Sequence, residues 1–232
     1  PAGDPRLAAH AGAAAAPRRT SFGEEAEADV RLVSYRARGG AGAELVLAAR
    51  GREHALRLPL IGKHSAIDAT AALAAALAVG VSEGDALRGL ARARQPRMRS
   101  ELVEIGGRHV LVDCYNANPT SMAAALIALA ELRGTGRALA VVGDMLELGH
   151  HAAAAHHEVG RHAAELGVEV IALGGFKDAV AAGVRATGGE AAVTDDPVTA
   201  ARHALARTEP GDWILVKASR GMRLERVVAS LR

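Results

Sequence analysis

From residue 101 onward the sequence repeats one alternation, and that alternation limits the fold more than any other feature. Strands read at 101–105, 108–113, 138–142, 169–173, 190–193 and 213–217, and helices at 120–133, 152–166, 177–186, 197–207 and 221–231. Helical crossovers between strands put helices on the faces of a sheet. The expectation is therefore an α/β fold, a Rossmann-like, mostly parallel sheet with helices on both faces. Ligands of such sheets bind beyond the carboxyl ends of the strands, so residues that follow a strand carry the information. Half of the residues are apolar but only 2% are aromatic. The core must then be built from Ala, Val and Leu in closely packed helices and strands, which disfavours a β-sandwich.

Upstream the pattern is different. Residues 1–20 are Ala-rich, an irregular or weakly helical entry. Between Val30 and Leu58, "VRLVSYRA", "AELVLAA" and "HALRLPL" are separated by the turns "RGGAG" and "RGRE", the pattern of an antiparallel meander. A helix over 66–79 follows, stopped by Gly80, and Ser82 caps the next at 83–93. "RARQPRMRS" then interrupts the order. A domain boundary is expected there, giving domains 1–94 and 95–232.

Several function classes are disfavoured. Lys and Arg nearly balance Asp and Glu, for a net charge of +2. The basic residues are dispersed, which argues against nucleic acid as a partner. No uncharged apolar run reaches the roughly 18 residues of a membrane span, and no signal peptide opens the sequence. Cys114 is the single cysteine. An intramolecular disulfide is therefore excluded, and a cytosolic setting is expected. Cys114 follows Asp113, whose charge would not favour a thiolate, so a nucleophilic role is not expected. In "HHAAAAHHEVG" the spacing of His151 and His156 does not match a helical metal pair, and no metal site is expected from this chain.

Three strand ends stand out: "VLVDCYNANPTSM", "LAVVGDMLELGH" and "WILVKASRGM". They would open on one edge of the sheet and bring together Asp113, Asn116, Asn118, Asp144, Glu147, Lys217, Ser219 and Arg220. Each has a bland reading. Asn116, Asn118, Pro119 and Ser121 suit a turn and a helix cap, Asp144 and Glu147 a solvated helix entry, Lys217 and Arg220 surface charge. The convergence of all three favours a polar cleft suited to phosphates, amides and hydroxyls.

These motifs, with "HEVG", "LPLIGKHSAIDATAALAAA" and "PRMRSELVE", resemble the Mur ligase family along essentially the whole chain. The similarity is to the late part of the ATP-binding central domain, meander plus helices, followed by the carboxyl-terminal domain. It implies an ATP-dependent ligase that activates a carboxylate as an acyl phosphate and joins D-Ala-D-Ala to UDP-N-acetylmuramoyl-tripeptide. By resemblance, His64, Ser65 and Asp68 lie near the adenine. Arg99 reaches phosphate or ribose and Asp113 a ribose hydroxyl, with Tyr115 and Asn118 beside them. Asn116 approaches the γ-phosphate, and Asp144, Glu147, Lys217, Ser219 and Arg220 shape the side that receives the dipeptide.

The chain departs from the family pattern at Ser65 and Asp68, where Asn is usual, and at Ala218, where Gly is usual. Ala218 would be costly if a positive φ were needed. No G-x-x-G-K-[ST] phosphate loop occurs in the 232 residues. That loop and the Mg2+ ligands are expected in an amino-terminal part of the same polypeptide, without which this chain would be inactive. The competing expectation is a stand-alone, non-catalytic nucleotide- or protein-binding module.

Overall fold

The structure, a computed structural model, describes residues 1–4, 7, 10 and 19–232, so the expected entry over 1–20 lies largely outside the described residues. The chain divides into two compact units, Pro1–Arg94 and Gln95–Arg232.

The first unit holds a four-stranded sheet in sequence order: β1 (Phe22–Gly23), β2 (Val30–Ala37), β3 (Ala43–Ala49) and β4 (Arg52–Leu58). The last three form the antiparallel meander, and the short β1, not foreseen in the sequence, runs parallel to β2. Along β3 every second residue is buried, so Ala43, Leu45, Leu47 and Ala49 turn one face inward. Helix α1 (Lys63–Ala78) covers that face with Ala66, Ala69, Leu73, Ala74 and Leu77. It begins three residues before the expected start, because Gly62, at φ 88°, turns the chain directly into it. Gly80, also at φ 88°, stops it. Helix α2 (Glu83–Leu90) is capped by Ser82, whose hydroxyl accepts from the Asp85 N–H. It ends three residues before the expected 93 as the chain tightens into i→i−3 bonds at Arg92 and Ala93.

The second unit is a six-stranded sheet of β5 (Glu101–Ile105), β6 (Arg108–Asp113), β7 (Ala138–Val142), β8 (Glu169–Leu173), β9 (Ala191–Thr194) and β10 (Trp213–Lys217), in the order β5-β6-β10-β7-β8-β9. All neighbours are parallel except the edge pair β5 and β6, joined by a hairpin. β7 and β10 are buried at every residue, as continuous apolar runs covered on both sides. Helices α3 (Pro119–Leu132), α4 (Ala152–Glu165) and α5 (Lys177–Arg185) cover one face. α6 (Pro197–Arg207) and α7 (Glu225–Ser230) cover the other, packing Ala200, Ala201, Ala204, Val227 and Val228 on Val110, Val112, Val141, Ile214 and Val216. The last helix is shorter than the expected 221–231. Residues Arg220–Met222 form a 3-10 turn and Arg223 takes φ 51°, which breaks the α-helical path.

α4 and α5 meet backbone to backbone. A Cβ on Gly160 would lie 1.9 Å from the Val180 carbonyl oxygen, and one on Gly183 would lie 1.9 Å from that of His157. Only glycine permits this approach. Gly183→Ala should therefore lower stability by about 1–3 kcal/mol, the usual cost of overpacking, read as a lower urea midpoint; an unchanged midpoint would show that the helices are not in contact there.

Candidate functional site

Because β6, β10 and β7 are adjacent and parallel, their carboxyl ends share one edge of the sheet. Lys217, the last residue of β10, is in register with Asp113 of β6 and Val142 of β7. Adjacent residues in register point to the same face. The Lys217 Nζ donates to Asp113 Oδ2 at 2.6 Å and to the Asn116 carbonyl at 3.1 Å. Lys217 is 1% exposed, so the surface-charge reading does not hold for it. Asp113 Oδ1 accepts from the Ser100 N–H at 3.1 Å, which ties the segment before β5 to the same point.

Ser219 joins the loops a second time. Its hydroxyl donates to the Ala117 carbonyl at 3.3 Å and accepts from the Leu146 N–H at 2.9 Å. Its own N–H donates to the Asp144 carbonyl, and the Gly143 N–H donates to that of Lys217. The next residue back, Ala218, is fully buried and its φ is not positive, so the substitution of the family's usual Gly is accommodated. A Cβ on Gly143 would lie 2.9 Å from that of Ala218; the glycine of the pair is at the end of the neighbouring strand β7.

Asp144 is buried and faces inward. Its carboxylate accepts from the Gly175 N–H at 2.8 Å and the Phe176 N–H at 3.1 Å, at the start of α5. The bland reading of a solvated helix entry does not hold for Asp144, and its carboxylate, expected to face the dipeptide, serves the helix that follows the next strand. Gly174 is needed for this, since it takes φ 101° and a Cβ there would lie 2.6 Å from the Asp144 carboxylate. His156 of α4 sits 4.0 Å from Asp144 and stacks on Phe176, with ring centroids 4.6 Å apart. Its Nε2 accepts from the Met145 N–H at 2.8 Å while Nδ1 lies 2.7 Å from the Ala152 carbonyl. An Nε2 that accepts carries no proton, so the ring is neutral and Nδ1 is the donor. Sequence reasoning missed this residue by treating the histidines as a metal question. Its signal was that His156, Val159, Gly160 and Ala163 share one buried helix face.

Asn118 is the N-cap of α3: its side chain accepts from the Ser121 N–H at 2.8 Å, and the Ser121 hydroxyl accepts from the Asn118 N–H. For this residue the capping reading holds. Asn116 is exposed, and its Oδ1 accepts from the Ala117 N–H at 2.9 Å. Arg99 lies with its guanidinium 4.1 Å from the centroid of the Tyr115 ring, an exposed cation–π pair. Met98 and Ser100, on either side of it, take φ 59° and 49°. Arg220 is half exposed and pairs with Glu225 at 2.8 Å. Glu147 is exposed at φ 66°, a left-handed conformation that costs a non-glycine residue about 1–2 kcal/mol.

In the first unit, the Ser65 hydroxyl is buried and donates to the Ile61 carbonyl at 2.7 Å, while Asp68 is exposed. His64 stands between them and Lys63 on the first turn of α1, and Lys63 pairs with Glu24 at 2.8 Å. Burial pushes the Cys114 thiol up to about 11, and Glu225 adds to the effect, so the thiol is not a nucleophile at neutral pH. Among the described residues no three His, Cys, Asp or Glu side chains group to hold a metal ion.

A crossover sheet with three polar loops tied at the carboxyl ends of its strands defines the class, an open α/β protein of the kind whose ligands bind at that edge. The chain matches the family described as Mur ligase, glutamate ligase domain, over residues 98–220, and it belongs to the Mur ligase family. It is similar to the UDP-N-acetylmuramoyl-tripeptide--D-alanyl-D-alanine ligase of Bacillus subtilis, at 35% identity over 78% of this chain and 41% of that protein. The Escherichia coli ligase of the same name is 35% identical over 75% of this chain and 38% of that protein. The chain thus spans about two fifths of the length of the curated relatives it matches. MurF from Acinetobacter baumannii superposes with a TM-score of 0.82 at 31% identity, over 91% of this chain and 46% of that one. The MurF ligase from Thermotoga maritima, solved in complex with ADP, shares the fold with a TM-score of 0.83 at 24% identity, over 98% of this chain and 51% of that one.

Replacing Lys217 with Met leaves the Asp113 carboxylate without its cation. Lys217→Met should cost about 3–5 kcal/mol, and the Asp113→Asn/Lys217→Met pair should cost clearly less than the sum of the single changes. Additive losses in a denaturation cycle would contradict the pairing.

Proposed function

We propose that this chain is the carboxyl-terminal part of an ATP-dependent ligase that joins D-Ala-D-Ala to UDP-N-acetylmuramoyl-tripeptide. The observation that carries this reading is the locking of three strand-end loops at one sheet edge by Lys217 and Ser219, in a chain of the Mur ligase family. A carboxylate is a poor electrophile. In the proposed reaction its oxygen takes the γ-phosphoryl group of ATP and ADP leaves, then the amine of the dipeptide attacks the acyl carbon and phosphate leaves. Positioning and charge stabilisation carry such a reaction.

Within the second unit, Arg99 is the exposed cation for phosphate, oriented by Tyr115. Asp113 already accepts from Ser100 and Lys217, and a carboxylate has lone pairs for a ribose hydroxyl as a further donor. Asn116 offers a neutral amide to phosphate oxygens. Arg220 and Glu147 are the exposed charges for the dipeptide, while Asp144, Lys217, Ser219 and Asn118 act by holding the loops. In the first unit, His64, Ser65 and Asp68 are the adenine-side candidates, with Ser65 acting through its backbone because its hydroxyl is taken by Ile61. Mg2+ would shield the phosphates. The described residues offer it no cluster of ligands. No helix is long and apolar enough to cross a membrane among the described residues. We place the enzyme in the cytoplasm, with its nucleotide-linked substrate and ATP. The amino-terminal part of the polypeptide would supply the phosphate loop.

The test is to substitute this chain for the corresponding part of the Bacillus subtilis relative. Phosphate release should require ATP, UDP-N-acetylmuramoyl-tripeptide and D-Ala-D-Ala together. ATP binding without dipeptide-dependent release would instead favour a non-catalytic nucleotide-binding module. In the same background Asn116→Asp keeps the acceptor for Ala117 and adds only charge. Turnover should fall at least about tenfold, or roughly 1.4 kcal/mol, with melting unchanged; full turnover would reduce Asn116 to a loop residue.

A further inference from the structure

We propose that Glu101 is a positioning residue for Arg99: its carboxylate fixes the backbone arch that holds the guanidinium over Tyr115, and so sets how tightly the site takes a polyphosphate, a role that rests on the nucleotide reading above. The arch is residues 98–100, just before β5. Met98 and Ser100 take φ 59° and 49°, left-handed conformations that a non-glycine residue keeps only where its surroundings over-determine it. Here they do. The Met98 N–H donates to Glu101 Oε2 at 2.8 Å, and the Met98 carbonyl accepts from the Tyr115 N–H at 3.1 Å. The Arg99 N–H donates to the Pro96 carbonyl at 3.3 Å, the Arg99 carbonyl accepts from the Gln95 side-chain amide, and the Ser100 N–H donates to Asp113 Oδ1. Every backbone N–H of the arch is engaged.

The two left-handed residues turn inward, Met98 against the core of the sheet and Ser100 buried, and Arg99 between them is exposed. Its guanidinium lies 4.1 Å from the Tyr115 centroid and has no carboxylate partner among the described residues. Stacking occupies one face of the planar guanidinium and leaves its N–H edges for phosphate oxygens. Two of the ties on the arch end on carboxylates, which make the stronger hydrogen bonds. Asp113 also serves Lys217, whereas the Glu101 carboxylate serves the arch alone among the described residues. By Coulomb's law an anion beside the site repels phosphate. Positioning and charge therefore give opposite signs when Glu101 is removed.

The test compares Glu101→Ala with Glu101→Gln, which keeps an acceptor for the Met98 N–H. In NMR spectra of the full chain, the Tyr115 ring current should move the Arg99 δ-methylene protons upfield. Glu101→Ala should lose that shift and Glu101→Gln should restore it; a folded Glu101→Ala that keeps the shift would overturn the positioning. With the chain substituted into the Bacillus subtilis relative, Glu101→Ala should raise the KM for ATP about tenfold with kcat little changed, the lower end for one hydrogen bond to a charged group. It should add nothing on top of Arg99→Gln. A lowered KM, or a loss that persists in Arg99→Gln, would overturn the role, since Glu101 would then act by its charge or through the fold at large. Glu101→Gln decides even if Glu101→Ala fails to fold: an unchanged KM supports the acceptor role, and a lowered KM overturns it. A wild-type chimera without turnover, in a chain that shows the expected shifts, would count against the ligase reading alone.

Discussion

A lysine ammonium enclosed at the end of the central strand is the constraint on which the carboxyl-terminal unit depends. Lys217 is one of the largest fully buried side chains among the described residues, and an unpaired charge there would be prohibitive. Its partners must therefore be present and fixed. Asp113 is delivered by the parallel register of the neighbouring strand and the Asn116 carbonyl by the turn that follows. Satisfying one buried cation thus determines the path of the loop that carries Asn116 and Tyr115, and through Ser100 the path of the segment that carries Arg99.

Ser219 extends the same logic to the third loop. Because its hydroxyl both donates and accepts, one side chain spans from Ala117 to Leu146. The buried polar groups are consequently engaged within the protein. They hold in place the loops that carry the exposed Arg99, Asn116, Glu147 and Arg220, the ligand contacts proposed above. This division between buried ties and exposed contacts is the arrangement by which a rigid sheet presents chemistry on loops.

Much of the fold was legible in the sequence, since its strands are short apolar runs separated by helices of ordinary length. Errors fell where local backbone geometry decides. The Gly62 entry to α1, the i→i−3 tightening after Leu90 and the left-handed Arg223 are single-residue events that periodicity does not record. The candidate site was legible as a set of strand ends but not as a set of roles. Spacing placed Asp113, Asp144 and Lys217 at one edge. It held no information on which side chains turn inward, so Asp144 and Lys217 were read as open to a ligand although each is engaged within the protein. Asn118 shows the converse: Asn before Pro at a helix start was a sufficient cap signal, with Ser121 three residues on. His156 announced itself only by its place on the buried face of α4, since an acceptor for a backbone N–H has no sequence motif.

The measurement that tests this account most directly is native-state hydrogen exchange of the Ser100, Gly143, Leu146 and Ser219 amides, each of which is bonded from one of these segments to another. If the buried ties hold the three loops as one body, these four amides share a single opening free energy, equal to that of Val216 in the central strand. Exchange of Ser100 or Leu146 through low-energy local openings, with Val216 still protected, would show that the loops move independently and would contradict it.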